Sequence, residues 1–67
     1  MRLSYNKLWK LLIDKGMNKR ALSEQADISN TTVAKLSKGE NVNTDILLKI
    51  CKTLECDISD IVEVVDK

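Results

Sequence analysis

Apolar residues recur at helical spacing in short segments divided by helix-stopping residues, and this pattern constrains the fold more than any other feature. Tyr5, Leu8, Trp9 and Leu12 fall at intervals of three and four, with Leu11 and Ile13 widening the stripe. Leu47, Ile50, Cys51 and Leu54 repeat that spacing, flanked by Ile46 and Leu48. Each stripe is one face of an amphipathic helix. Two Gly and no Pro in 67 residues disfavour a turn-rich β fold or a flexible linker. The length suits one small domain, residues 1–67, burying only about 60% of its unfolded surface.

The stops and caps divide the chain into five expected helices. Ser4 can cap the first by accepting an early backbone N–H, and Gly16 ends it. Asn18 caps a two-turn second helix through Ala26, with Leu22 and Ala26 facing inward. Asp27 fits the turn because Asp tolerates the left-handed region, and Ile28 plugs that turn into the core. Ser29 caps the third helix, residues 30–37, whose only apolar anchors are Val33 and Leu36. Its outward positions are Asn30, Thr31, Thr32 and Lys35, and Lys38-Gly39 stops it. Asn43 caps a core helix from Thr44 to Leu54. Asp57 and Asp60 bracket a short fifth helix at capping-box spacing, with Ile58, Ile61 and Val62 closing the core. The expected fold is therefore all-α, a five-helix bundle with a short extended C-terminal tail.

The β-branched tail, Val62 to Val65, needs a cover, since a free apolar strand end invites association. Two covers are open: Arg2-Leu3-Ser4 of the same chain, or the tail of a second subunit across a two-fold axis.

Composition narrows the chemistry. The absence of His removes the commonest general base, the commonest metal ligand and every Ser-His or Cys-His nucleophile. Cys51 and Cys56 read as reduced thiols of a cytoplasmic protein, at least one of them buried, and two Cys alone cannot make a four-ligand zinc site. No metal, cofactor or enzymatic activity is expected. No apolar run approaches a membrane span, and the first residues lack the apolar core of a signal peptide. Charge is uneven. Residues 1–39 carry eight basic groups against three acidic, a net of +5; residues 40–67 carry three against seven, a net of −4. The positive half can face a polyanion while the negative half faces away.

Two short helices joined by a tight turn, the second with a polar outer face, suit reading of the DNA major groove. The segment Met17-Asn18-Lys19-Arg20-Ala21-Leu22-Ser23-Glu24-Gln25-Ala26-Asp27-Ile28-Ser29-Asn30-Thr31-Thr32-Val33-Ala34-Lys35-Leu36-Ser37-Lys38-Gly39 resembles the Cro and phage-repressor (Xre-like) helix-turn-helix family. The resemblance continues through residues 47–54 and 57–61, covering about residues 5–62. It departs from the family's usual pattern at Lys19 (usually Gln), Ser23 (Ala), Asp27 (Gly) and Ser37 (Glu).

The resemblance implies a lambda-repressor-like bundle that binds double-stranded DNA sequence-specifically and regulates transcription, most simply as a repressor. It assigns Asn30, Thr31, Thr32 and Lys35 to base edges: Asn to adenine, Thr to the thymine methyl, Lys to guanine or else to a phosphate. It assigns Asn18, Lys19, Arg20, Lys38, Asn41 and Asn43 to phosphates. A homodimer on two half-sites is expected, because one such unit contacts few base pairs. The alternative is an antitoxin-like or protein-docking helix-turn-helix module that acts through a partner protein. Trp9 reads as a core or dimer contact, since a lone aromatic is no base-stacking platform.

Overall fold

The computed structural model describes residues 1–66. Its elements are β1 (Arg2–Ser4), α1 (Asn6–Asp14), α2 (Lys19–Ala26), α3 (Asn30–Ser37), α4 (Thr44–Leu54), a one-turn 3-10 helix (Ile58–Asp60) and β2 (Glu63–Val65). Two expectations are corrected here. The described residues contain four α-helices rather than five, and the fold is mostly helical rather than all-α. The fifth segment is too short for an α-helix: its capping box, Asp57 with Asp60, closes over only three residues. The chain then extends, as its β-branched residues favour.

The extended tail pairs within the chain. β1 and β2 are antiparallel, with Arg2 opposite Val65, Leu3 opposite Val64 and Ser4 opposite Glu63. This pairing also corrects the expected start of α1. Ser4 is drawn into the ladder, so the cap position falls to Tyr5, which makes no side-chain cap bond. Ser4 Oγ still accepts the Asn6 N–H, at 3.4 Å.

The core joins Tyr5, Leu8 and Leu12 of the first helical segment to Leu22, Ala26, Ile28, Val33, Leu36, Leu47, Ile50, Leu54 and Ile61. Each expected inward position of α2 and α3 is buried; Ile58 and Val62 are only half-buried beside fully buried Ile61. Ser23 is buried as well, which the sequence did not indicate. Its hydroxyl donates to the Arg20 carbonyl at 2.8 Å, so the polar atom costs little there.

Each α-helix ends with one residue in the left-handed region followed by a backbone bond reaching five residues back. The residues are Gly16, Asp27, Gly39 and Glu55, and the bonds run from Met17 to Leu12, Ile28 to Ser23, Glu40 to Lys35 and Cys56 to Cys51, at 2.9–3.0 Å. These bonds take up carbonyls that a helix end leaves orphaned. Glu55 was not foreseen as a stop. A side chain in this conformation costs on the order of 1 kcal/mol, offset by seating the next residue against the core. That residue, Cys56, is half-buried, as is Cys51, so the expectation that at least one of them is buried is met only in part.

The α2–α3 turn is buttressed from behind by α4. Thr53 Oγ1 donates to the Gln25 carbonyl and Lys49 Nζ to the Asp27 carbonyl, both at 3.5 Å. With α2 packed on both α3 and α4, the angle between the two short helices is set by the core.

Candidate nucleic-acid interface

The presented helix is α3. Its start is fixed by Ser29, whose Oγ accepts the Thr32 N–H at 3.1 Å. Val33 and Leu36 anchor one face in the core. The opposite face is exposed along Thr31, Ala34, Lys35 and Lys38, at spacings of three, four and seven. Asn30 is exposed at the first turn. Of the four residues assigned to base edges, Asn30, Thr31 and Lys35 share this open surface. Thr32 is half-buried rather than exposed, and its hydroxyl lies 2.9 Å from Ser29 Oγ as part of the cap.

Ala34 was missed. Its methyl is exposed between Thr31 and Lys35, where it can touch a thymine methyl. The spacing was legible, but an Ala gives no polar signal to draw the eye.

The assigned phosphate residues divide into two groups. Lys19, Arg20, Ser23, Glu24, Asn30 and Val33 line one concave surface between α2 and α3. At its rim, Asn18 Oδ1 accepts the Ala21 N–H at 2.7 Å, which leaves the amide NH2 available as a donor. Lys19 Nζ stands over the Trp9 ring, 4.6 Å from its centroid. Trp9 itself packs half-buried against the core. Arg20 Nε lies 3.8 Å from Glu24 Oε2, both side chains largely exposed. The second group, Lys38, Asn41 and Asn43, is exposed where the chain leaves α3. Asn43 caps α4 through its Oδ1, 2.9 Å from the Asp45 nitrogen, and again keeps its NH2 free.

The loop of this second group is pinned to the core. Buried Tyr5 donates its hydroxyl to the Glu40 carbonyl at 3.0 Å. Burial pushes the Tyr5 phenol above its ordinary range, opposed in part by the Val42 backbone. Cys51, Cys56, Glu55, Asp57 and Asp60, at the end of α4 and around the 3-10 turn after it, share one open groove with Lys52. Burial, reinforced by the neighbouring Cys51, pushes the Cys56 thiol up to about 11. Among the described residues, no helix is long and apolar enough to cross a membrane, and no group of three or more His, Cys, Asp or Glu is placed to hold a metal ion.

This geometry can be set beside known proteins. The family model of the Cro/C1-type HTH DNA-binding domain matches residues 7–67. Among solved structures, the crystal structure of the transcriptional regulator VanUg is similar, with a TM-score of 0.95 and 53% identity, over 98% of this chain and 88% of that one. No curated protein matches. The chain belongs to the Cro/C1-type helix-turn-helix DNA-binding family.

Proposed function

We propose that this Cro/C1-type domain reads a specific double-stranded DNA sequence with α3 and regulates transcription, as a repressor, by occupying the site. The observation that carries the reading is the open face of α3: Asn30, Thr31, Ala34 and Lys35 stand clear of the core while Val33 and Leu36 hold the helix from behind. Short polar and methyl-bearing side chains, with one Lys, match the donor, acceptor and methyl pattern of the major groove. Asn18, Lys19 and Arg20 before this face, and Lys38, Asn41 and Asn43 after it, supply phosphate donors at both ends, which fixes register on the duplex. Likeness to VanUg, a transcriptional regulator, supports the regulatory role.

A homodimer spanning two half-sites about one helical turn apart gives the selectivity that a single unit lacks. On this reading the domain acts in the cytoplasm and catalyses nothing. The test is a mobility-shift titration with the DNA upstream of the protein's own gene against a random duplex, followed by sedimentation of the complex. Preference for the upstream DNA with two chains per complex is expected. Equal binding to both duplexes rules out sequence-specific repression. A complex holding one chain rules out the dimer.

A further inference from the structure

We propose that Arg2 is a further phosphate contact of this interface, carried on the terminal strand pair and held over the exit of α3. The inference rests on the proposed DNA-binding role of α3.

Two separate contacts bring the start of the chain to that exit. Arg2 Nη1 lies 3.8 Å from the point a side-chain carbon on Gly39 would occupy, so the guanidinium sits over the turn next to Lys38. Tyr5 reaches the next residue of the same turn through its hydroxyl bond to the Glu40 carbonyl. The backbone of Arg2 is fixed by pairing with Val65, so the charge stands on a β-strand rather than on a free end.

The guanidinium also has capacity to spare. Arg2 is exposed, and among the described residues its guanidinium makes one hydrogen bond, a long one, 3.5 Å to the neighbouring Leu3 carbonyl. Among the described residues it forms no ion pair; the ion pair found there joins Arg20 to Glu24. An Arg offers five donors in a rigid fork that matches phosphate geometry. With no carboxylate partner among the described residues, and lying over the turn that follows Lys38, it adds positive potential at the exit of α3. The strand pair then has a role besides covering the tail: it sets one cation of the interface.

Arg2→Gln and Arg2→Lys separate the charge from the fold. Binding of the full chain to the upstream DNA and to a random duplex is titrated against salt. Arg2→Gln is expected to lower the slope of log K against log salt by about 1 on both duplexes, while Arg2→Lys keeps the slope. A wild-type slope in Arg2→Gln overturns the inference and leaves the role of α3 standing. A lowered slope that Arg2→Lys fails to restore means that Arg2 acts through packing, which also overturns it. A wild-type chain that binds neither duplex overturns both the inference and the reading beneath it.

Discussion

Lys19 Nζ stands 4.6 Å from the centroid of the Trp9 ring, so the first residue of α2 is held in place by the middle of α1. Lys19 occupies the position where the family usually carries Gln. A flexible ammonium becomes a better-placed phosphate donor when an aromatic face restrains it. Double-mutant analysis with Trp9→Leu and Lys19→Met, read by urea unfolding, should return a coupling of about 0.5 kcal/mol. Strictly additive effects would show that the contact does not hold Lys19.

Replacing Asn30 or Lys35 by Ala should relax base preference and weaken binding to the specific site by about 1–3 kcal/mol. Both side chains are exposed, so melting should hardly move. If both variants keep wild-type preference across a panel of single-base operator changes, α3 is not the reader.

Glu24 pairs with Arg20 and lines the α2–α3 concavity, so on the proposed reading it competes with DNA for Arg20. Glu24→Gln should therefore strengthen binding at low salt, by about twofold given the small worth of an exposed pair. The gain should fade as salt rises. Fluorescence anisotropy on a labelled duplex measures this; an unchanged or weaker affinity counts against the placement of phosphate there.

Tyr5→Phe keeps the buried ring and removes the bond to the Glu40 carbonyl. A loss of about 1 kcal/mol is expected, which lowers the melting temperature by about 4–8 °C in a domain of this size. A melting curve that superimposes on wild type would show that the loop after α3 is held by other means.

The Cys56 thiol is pushed from an ordinary value of 9.0 to about 11, chiefly by burial. The unfolded chain therefore loses this proton first as pH rises. Stability from keeping the thiol neutral is whole below pH about 9 and drains away toward pH about 11. Tyr5 and Cys51 are raised in the same sense and add to the fall. Melting temperature should thus decline through this window under reducing conditions. Cys56→Ala should flatten the decline without abolishing it, and an identical pH profile in that variant would refute the thiol's part.

Local chemistry made most of the helices legible in the sequence. Asn18, Ser29 and Asn43 cap because a side-chain oxygen near its own backbone needs no distant partner, and Gly16, Asp27 and Gly39 stop helices for equally local reasons. Val33 and Leu36 against Asn30, Thr31 and Lys35 gave α3 its two faces by periodicity alone. Tertiary structure decided what depends on residues far apart in the chain. Pairing of Arg2–Ser4 with Glu63–Val65 was one of two covers open to the tail, and it displaced Ser4 from its expected cap. The Lys19–Trp9 contact and the Tyr5 bond to Glu40 join separate elements, so no spacing announces them. Glu55 takes a left-handed stop that its own preference opposes, and Thr32 turns from the outer face to its cap. Packing outweighs a local cost on the order of 1 kcal/mol when it fixes where the rest of the chain must go.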